Sequence, residues 1–439
     1  MAASRKKTAR KKSVKGPDTS WHVHDRFGMF IHWGIYSAAA RQEWVKKSER
    51  MTNEEYQKYF DHFDPDLYDP RKWARAAKQA GMKYFVITTK HHDGFCLWDS
   101  KLTDYKATNT PYGKDVLTPM VEAFREEGLR VCFYHSLIDW HHPEYTIDQM
   151  HPLCGHSTEK KLPKRDMAKY RKYLHAQIRE IMTQFGKIDM VWFDFSFDGL
   201  KELGYEGKHA EAWGAEEIVR MARELQPGIM INNRLGLDAE PDFVTPEQYQ
   251  PEFWPTDGTG RKQVWEGCQT FSGSWGYHRD EESWKSTKTL LWLLIDSVSK
   301  GGNLLLNVGP NGRGEFDHRA MDRMEGIGKW MRVNSRSIYG CTASDYAPPP
   351  NCLYTYNPKT RRLYLHFMVW PIRQVLLPGL FGKVKYAQLL HDASEVKIAE
   401  GKFEQIQTEG LDLDEKSLRL DLPPKQPPVE IPVIELFLK

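Results

Sequence analysis

The sequence predicts an irregular (β/α)8 barrel followed by a small β-sandwich. Between about residues 27 and 335, short β-rich runs alternate with helical patterns, and this alternation is typical of a parallel sheet. Polar side chains follow the carboxyl ends of most of these runs. This favours a barrel, because an open sheet usually binds its ligand at a single switch point. Neither GxGxxG nor GxxxxGKS/T follows a predicted strand, so the common nucleotide-binding folds are disfavoured.

The sequence predicts six strands and six helices of the barrel. The predicted strands are 27–33, 83–90, 130–135, 188–194, 228–233 and 302–308. The predicted helices are 53–63, 70–80, 115–127, 165–185, 215–225 and 282–300, and a glycine or a proline closes several of them. Two further helices that a full barrel requires have no clear pattern.

From about residue 340 the helical periods disappear, and short strands separated by turn residues take over. These strands are 353–356, 362–366, 383–390, 395–398, 418–421 and 433–438. About 100 residues of this kind predict a small β-sandwich. We therefore expect a basic disordered tail at 1–20, a catalytic (β/α)8-like domain at 21–340 and a β-sandwich domain at 341–439.

The composition indicates a globular protein whose basic residues cluster at the N-terminus. The 439 residues include 62 basic and 59 acidic ones, and seven of the basic ones lie before residue 17, so the rest is mildly acidic. A nucleic-acid-binding face is therefore not expected. No signal peptide or membrane-spanning run is legible, and the six cysteines form no CxxC pair, so we expect a cytoplasmic protein that does not bind membranes. A homo-oligomer stays open.

Three carboxylates are candidates for catalysis. Asp194 closes the fourth predicted strand, where (β/α)8 enzymes carry catalytic groups, so it is a candidate nucleophile; the alternative is a helix N-cap or an ion pair. Glu247 and Glu266 follow the fifth predicted strand and are candidate acids, and each has the alternative of a surface or ion-paired carboxylate. Glycoside hydrolysis requires such a pair, because one carboxylate attacks or positions water and the other protonates the leaving oxygen.

Four histidines lie at or near the ends of predicted strands: His32, His91, His92 and His135. Such a group suits either a metal site or hydrogen bonds to sugar hydroxyls. The HxH and HExxH spacings of zinc sites are absent, and adjacent strand residues such as His91 and His92 project to opposite faces. We therefore expect no metal. The 15 tryptophans, many of them beside polar residues, favour a sugar site.

Nine sequence motifs carry a resemblance to a known enzyme family. They are FGMFIHWGIYS (27–37), EW (43–44), TTKHHDGFCLWDS (88–100), FYHSLIDWH (133–141), VWFD (191–194), NNRLG (232–236), DFVTPEQ (242–248), WEGCQTFSGSWGY (265–277) and GGNLLLNVGPNGRGEF (301–316). Together they resemble family 29 of the glycoside hydrolases, the retaining α-L-fucosidases, over about residues 21–334. The C-terminal β-domain also fits the architecture of this family.

The resemblance implies a role for each matching residue. It implies that Asp194 is the nucleophile and Glu247 the acid/base, with Glu266 as the rival for the second role. Fucose-binding roles fall on His32, Glu43, Trp44, His91, His92, Trp192, Arg234 and Trp275. Many relatives have Tyr-Tyr-Ser where this chain has Tyr-His-Ser at 134–136, so His135 is expected to contact the sugar or the nucleophile.

The function implied by the resemblance is hydrolysis of terminal α-L-fucosyl linkages in oligosaccharides or glycoconjugates by a retaining double displacement. No metal or organic cofactor is implied. Two alternatives stay open: an exo-acting hydrolase of L-galactose, which differs from L-fucose by a hydroxyl at C6, and a non-hydrolytic fucose-binding relative. An apolar pocket rejects an added hydroxyl only weakly, whereas the paired carboxylates argue against a pure binding module.

Overall fold

A computed structural model describes residues 16–157, 159–200, 202, 204–238, 241–399 and 417–439 of the chain. Most of the predicted tail at 1–20 lies outside the described residues, and Ser20 begins the first helix. None of the described helices is long and apolar enough to cross a membrane.

Seven parallel strands form a curled sheet in the first part of the chain. They are β1 (Phe27–Ile31), β2 (Tyr84–Lys90), β3 (Arg130–Ser136), β4 (Met190–Asp194), β5 (Met230–Ile231), β6 (Glu266–Thr270) and β7 (Asn303–Val308), in the order β5-β4-β3-β2-β1-β7-β6. Residues 243–248 lie between the two edge strands and make isolated parallel bridges on both sides, Asn232 with Phe243 and Glu247 with Cys268. This segment closes the sheet into an irregular barrel, which confirms the predicted fold class.

Helices follow most of the barrel strands. Those in the described residues are α1 (Ser20–Asp25), α2 (Tyr36–Ala39), α3 (Val45–Ser48), α4 (Asn53–Asp61), α5 (Pro70–Gln79), α6 (Leu117–Glu126), α7 (Met167–Gln184), α8 (Ala210–Trp213), α9 (Ala215–Leu225), α10 (Thr287–Ser299) and α11 (His318–Asn334). Thr52 and Glu55 form a reciprocal capping box at the start of α4. Asp69 caps α5, whose first residue is Pro70.

Alternation along the strands divides the barrel side chains between two cores. Tyr134 and Trp192 belong to a cluster that fills the barrel interior. Their neighbours Phe133 and Phe193 belong to the larger cluster that includes the helices. Because strand side chains alternate between faces, the Asp194 side chain lies on the same face of β4 as that of Trp192, which is the interior face. Asp194 therefore faces the mouth of the barrel.

Two extended segments of the barrel and one long helix are absent from the sequence prediction, as are the short helices α1, α2, α3 and α8. β6 has the sequence EGCQT, which lacks apolar alternation, and the bridging segment 243–248 contains Pro246, so neither is predicted as a strand. Pairing with neighbours imposes their extended form. Helix α11 is also absent from the prediction, although four of its buried residues recur at helical spacing, namely Ala320, Met324, Ile327 and Met331.

In the described part of the C-terminal region, two antiparallel sheets form a β-sandwich. β8 (Cys352–Asn357), β9 (Arg362–Phe367), β11 (Val384–Leu389) and β14 (Val433–Leu438) make a sheet in the order β11-β14-β9-β8. β10 (Gln374–Leu377), which the sequence does not predict, joins β12 (Lys397–Ala399) and β13 (Leu418–Asp421) in the second sheet. Leu365, Leu420 and Leu436 belong to the apolar core that the strands of both sheets share.

The β-sandwich packs against α11. Trp330 Nε1 donates to the backbone carbonyl of Ile431 over 2.8 Å, and Ile431 and Val433 join the larger core of the barrel. A short helical turn ends at Ser337 and β8 begins at Cys352. We propose that the domain boundary lies between these two residues, near residue 340 as expected from the sequence.

Candidate active site

A pocket of about 570 Å³ opens at the carboxyl ends of the barrel strands. Its lining includes most of the residues that the sequence predicts for the site: His32, Glu43, Trp44, His91, His92, Trp192, Asp194, Arg234, Glu247 and Trp275. These residues come from the ends of most barrel strands and from the loops that follow them. The fold thus brings the predicted site together from distant parts of the chain.

Asp194 ends β4 and lies in the pocket with 13% of its side chain exposed. Tyr134 Oη donates to its Oδ2 over 2.9 Å, and Arg234 Nη1 donates to its Oδ1 over 2.9 Å. Burial acts to raise the pKa of Asp194, but the charge of Arg234 and these hydrogen bonds outweigh it and hold the pKa below its ordinary value. The carboxylate is therefore ionised at neutral pH, as a nucleophile must be.

Glu247 comes from the bridging segment and reaches the same guanidinium group. Its Oε2 lies 2.6 Å from Arg234 Nη1, the nitrogen that also bonds Asp194 Oδ1 at 2.9 Å. The two oxygens are therefore no further apart than the sum of these distances, about 5.5 Å. Retaining glycosidases hold their two carboxyl groups roughly 5–5.5 Å apart and inverting ones roughly 6.5–9.5 Å apart, so this upper limit is compatible with the retaining class.

The backbone directly after each of these carboxylates is strained. Phe195 follows Asp194 with φ +85°, and Gln248 follows Glu247 with φ +59°. Residues other than glycine rarely adopt this left-handed region, which costs about 1–3 kcal/mol. The surrounding structure holds both turns in this form, and each turn presents one carboxylate to the pocket.

Arg234 is fixed by contacts on several sides. Its Nε donates to Thr245 Oγ1 over 2.9 Å, and its Nη2 donates to the Thr245 carbonyl over 3.2 Å. The guanidinium lies 5.2 Å from the ring centroid of Trp192. Burial acts to lower the pKa of Arg234, but the charges of Asp194 and Glu247 raise it above its ordinary value. A rigid, permanently charged group thus connects the two carboxylates.

Three buried histidines line the pocket, His32, His91 and His92. Burial lowers the pKa of His32 to about 4 and that of His92 to about 3, and it lowers the pKa of His91 well below the ordinary value. All three rings are therefore neutral at pH 7, which suits hydrogen bonds with uncharged sugar hydroxyls. Within the described part of the chain, no three His, Cys, Asp or Glu side chains form a group that could hold a metal ion.

Glu43, Trp44 and Trp275 add a carboxyl group and two indole rings. Glu43 Oε2 accepts a hydrogen bond from the Gly276 N–H over 2.7 Å, which ties it to the loop that carries Trp275. Burial raises the pKa of Glu43 to about 7, against the opposing effect of that hydrogen bond. Trp275 lies 5.2 Å from the ring of His32 and Trp44 5.1 Å from that of His92. Apolar ring surface thus stands beside polar groups, as a sugar requires.

Glu266, the rival of Glu247 for the acid/base role, lies outside this pocket. It begins β6, and none of its side chain is exposed. Its carboxylate lies 2.9 Å from His22 Nε2 and accepts hydrogen bonds from Trp192 Nε1 over 3.1 Å and from the Tyr84 hydroxyl. Glu266 thus anchors Trp192 from within the barrel, and its carboxylate does not line the pocket.

The structure corrects the expectation for His135, which does not line the pocket. Its neighbour Tyr134 lines the pocket and donates to Asp194, whereas His135 lies on the opposite face of β3. There its Nδ1 is 2.9 Å from Thr89 Oγ1, and its ring lies 6.0 Å from that of Trp98. Because side chains alternate along a strand, Tyr134, and not His135, shares a face with Asp194 of the neighbouring strand β4. This alternation is the signal that could have selected Tyr134 from the sequence.

Besides Tyr134, seven lining residues are missing from the sequence prediction, namely Phe30, Phe195, Ser196, His209, Asn233, Gly236 and Cys268. All of these except His209 lie within two residues of a predicted one, so their neighbours signal their position. His209 lies at the far end of the loop between β4 and α8, where its Nε2 is 3.0 Å from Asp198 Oδ1. No motif marks this histidine, because only the path of the loop returns it to the pocket.

Comparison with known proteins decides the family. A family model described as Alpha-L-fucosidase matches residues 1–336. The chain belongs to the α-L-fucosidase family. The match includes every strand of the barrel and confirms the resemblance to family 29 of the glycoside hydrolases. The prediction of a glycoside hydrolase with α-L-fucosidase activity is confirmed with it.

Known relatives have the same architecture. Alpha-L-fucosidase isoenzyme 1 from Paenibacillus thiaminolyticus is 45% identical, with a TM-score of 0.89 over 96% of this chain and 98% of that one. A family 29 α-L-fucosidase from Bacteroides thetaiotaomicron, solved as a trapped covalent intermediate, is 27% identical, with a TM-score of 0.81 over 98% of both chains. The α-L-fucosidase of Dictyostelium discoideum is 28% identical over 355 residues, covering 74% of this chain and 72% of that protein.

Proposed function

We propose that this pocket binds a terminal α-L-fucosyl residue and that Asp194 and Glu247 cleave its linkage by a retaining double displacement. The observation that carries the proposal is the shared contact with Arg234. One guanidinium nitrogen, Nη1, contacts both carboxylates and keeps the two contacting oxygens within about 5.5 Å. Retaining hydrolysis requires a nucleophile and an acid/base at about this separation.

The two displacements follow from this arrangement. In the first, Asp194 attacks the anomeric carbon, the bond to the leaving oxygen breaks, and Glu247 gives that oxygen its proton. The aglycone leaves as a neutral alcohol, and a fucosyl ester of Asp194 remains. In the second, Glu247 takes a proton from water while the water oxygen attacks the same carbon and releases Asp194. Two inversions give net retention of configuration.

Arg234 can balance the negative charge through both steps. Before the first step the charge lies on Asp194, and after it Asp194 is a neutral ester while Glu247 is ionised. Because Nη1 contacts both carboxylates, the guanidinium does not need to move when the charge passes from one to the other. A preorganised charge of this kind lowers the barrier, because no reorganisation is needed during the reaction.

We assign the sugar hydroxyls to the buried polar groups of the pocket. The neutral imidazoles of His32, His91 and His92, together with Glu43 and the Trp44 indole, are the proposed hydrogen-bond partners. The rings of Trp192 and Trp275 supply apolar surface for the sugar face and for the C6 methyl group. An analogue that lacks a hydroxyl leaves a buried partner unsatisfied, so each such contact discriminates strongly.

The proposed substrates are fucosylated oligosaccharides or glycoconjugates, which are the substrates that α-L-fucosidase activity implies. We also propose a cytoplasmic location, which fractionation of the producing cells would test. Light scattering would decide between a monomer and a homo-oligomer.

Trapping with 2-deoxy-2-fluoro-L-fucosyl fluoride tests the catalytic roles. Fluorine at C2 slows both steps, and the fluoride leaving group lets the first proceed, so the ester accumulates. We expect one fluorofucosyl group per chain, carried by the peptide that contains Asp194. An Asp194→Asn variant should take up no label. Label on another residue, or β-L-fucose as the first product from an aryl α-L-fucoside, would contradict the proposal.

A further inference from the structure

Two pocket histidines have partners that determine which ring nitrogen carries the hydrogen. The pairs are His32 with Asn307 and His92 with Ser136. Each partner lies behind the pocket lining and makes a second hydrogen bond to a backbone carbonyl. That second bond fixes the direction of the first, because each partner has a limited set of donors and acceptors.

Asn307 must present its oxygen to His32. Its Nδ2 donates to the Trp275 carbonyl over 2.7 Å, and its Oδ1 lies 2.6 Å from His32 Nδ1. The opposite amide orientation would set the side-chain oxygen against the carbonyl oxygen of Trp275 at 2.7 Å, with no hydrogen between them. An amide oxygen only accepts, so His32 Nδ1 must carry the hydrogen.

Ser136 imposes the same proton position on His92. Its hydroxyl has one hydrogen, which it donates to the Ile138 carbonyl over 2.8 Å. The 2.7 Å contact with His92 Nδ1 then requires the ring nitrogen to be the donor. The reverse arrangement would leave the hydroxyl oxygen and the Ile138 carbonyl facing each other without a hydrogen. The backbone N–H of Trp140 also donates to the His92 carbonyl over 2.8 Å, which holds the turn that carries the ring.

A neutral imidazole with hydrogen on Nδ1 has a lone pair on Nε2. Both rings line the pocket, and neither Nε2 has a hydrogen-bond partner in the described part of the chain. We propose that Asn307 and Ser136 are positioning residues that fix His32 and His92 as hydrogen-bond acceptors, each for one fucose hydroxyl. This inference rests on the proposed fucosyl substrate, but not on the roles of the two carboxylates.

The surroundings keep both rings neutral, as the inference requires. Burial is the largest influence on the pKa of each ring and lowers it. The charge of Asp194 acts in the opposite direction on both rings, while Lys90 lowers the pKa of His92 further. Lys90 is itself buried and donates to Asp139 Oδ2 over 3.1 Å. The Lys90 charge that acts on His92 is thus already paired.

With two Nε2 acceptors in the pocket, recognition depends on sugar hydroxyls that can donate a hydrogen bond. A hydroxyl that faces Nε2 of either ring must donate its hydrogen to that nitrogen. Fluorine in the place of the hydroxyl accepts weakly and cannot donate. Fluoro and deoxy sugars should therefore both bind poorly, whereas a ring with hydrogen on Nε2 would tolerate fluorine better than hydrogen.

The direct test uses the full chain labelled with 15N in its histidine rings. Long-range 1H–15N spectra distinguish Nδ1–H, Nε2–H and protonated rings, and His32→Gln and His92→Gln variants assign the signals. Near neutral pH we expect the Nδ1–H pattern for both rings, and added L-fucose should shift their Nε2 signals. An Nε2–H or protonated pattern for either ring would overturn the proposal.

A Ser136→Ala variant tests whether the tautomer of the His92 ring affects the binding of fucose. We expect L-fucose to inhibit it about tenfold more weakly, with KM raised and kcat changed less. That penalty should vanish for the one deoxy analogue, modified at C2, C3 or C4, that lacks the hydroxyl facing His92. The matched control is Ser37→Ala, since the Ser37 hydroxyl is buried with no partner among the described residues, and its inhibition constants should stay within about twofold.

Two results of this experiment would count against the inference. One is an unchanged His92 ring pattern in Ser136→Ala, and the other is an equal penalty for every deoxy analogue. If the fluorofucosyl label instead formed on a residue other than Asp194, the proposed catalytic roles would be refuted. The histidine ring patterns and the results with the deoxy analogues would still support the proposed tautomers. The two failures are therefore distinguishable.

Discussion

Replacing Arg234 with methionine removes the positive charge that the two carboxylates of the pocket share. Asp194 and Glu247 then face each other with no cation between them and with their contacting oxygens within about 5.5 Å. Ionisation of Asp194 becomes harder, because its carboxylate loses the attraction of the guanidinium that lies 2.9 Å away. The acid limb of the pH profile of kcat/KM reports that ionisation in the free enzyme, so the limb should move to higher pH.

The size of the shift follows from the attraction that is lost. Opposite unit charges about 4 Å apart attract by about 4 kcal/mol at an effective dielectric constant of about 20, which corresponds to about three pKa units. Solvent screening reduces this attraction, because 21% of the Arg234 side chain and 13% of the Asp194 side chain are exposed. We therefore expect the pKa of Asp194, which Arg234 helps to hold below its ordinary value, to rise by about one to two units.

The assay is kcat/KM for an activated aryl α-L-fucoside across the acid range. Arg234→Lys keeps the charge, so its limb should stay within about half a unit of the wild type even if the rate falls. Arg223→Met removes an arginine that pairs with Asp242 outside the pocket, and it should leave the limb in place. A loss of rate in Arg234→Met with no movement of the limb would refute the electrostatic reasoning.

Three further predictions concern the other polar groups of the site. Glu247→Ala should slow natural linkages by about a hundredfold or more but spare ester formation from an activated aryl fucoside, whereas Glu266→Ala should slow both alike and lower the melting temperature; the opposite pattern would exchange their roles. Burial raises the pKa of Glu43 from 4.5 to about 7, so its contribution to stability is present below pH 4.5 and is lost as pH rises to 7. Relative to Glu43→Gln, the wild type should lose up to about 3 kcal/mol of unfolding free energy across that range in urea titrations, and a constant difference would contradict this. Activity should survive prolonged treatment with a chelator, and a loss that zinc or manganese restores would contradict the assignment of His32, His91 and His92 to the sugar.

Most of the barrel could be predicted because its elements carry their own signals. The run at 83–90 has the apolar centre Tyr84–Ile87 and gives β2, every residue of which is buried, and Asp69 with Pro70 marks the start of α5. The segment 243–248 has no such signal, since Pro246 interrupts it and the neighbouring strands impose its extended form. The helix α11 could have been predicted, because its buried residues recur at helical spacing.

The candidate site was predictable to the extent that strand ends and motifs mark single residues. Neither feature states which residues touch. The contact of Arg234 with both carboxylates depends on how the loop after β5 and the bridging segment meet, and the contacts of Asn307 and Ser136 with the two histidines depend on side-chain orientation. The error at His135 is different in kind, because the alternation of β3 already separates it from Tyr134.

Azide rescue of an Asp194→Gly variant tests most directly the central claim that Asp194 attacks the anomeric carbon and Glu247 transfers the proton. The variant should keep its melting temperature within a few degrees and lose aryl fucoside hydrolysis by about 10⁴-fold or more. Azide can enter the space that the carboxylate leaves beside Tyr134 and Arg234, so it should restore part of the activity and give β-L-fucosyl azide, with inverted configuration. The same anion should give the α-azide with Glu247→Ala, because Asp194 still forms the ester there. An α-azide from Asp194→Gly, or a sizeable rate without azide, would contradict the account.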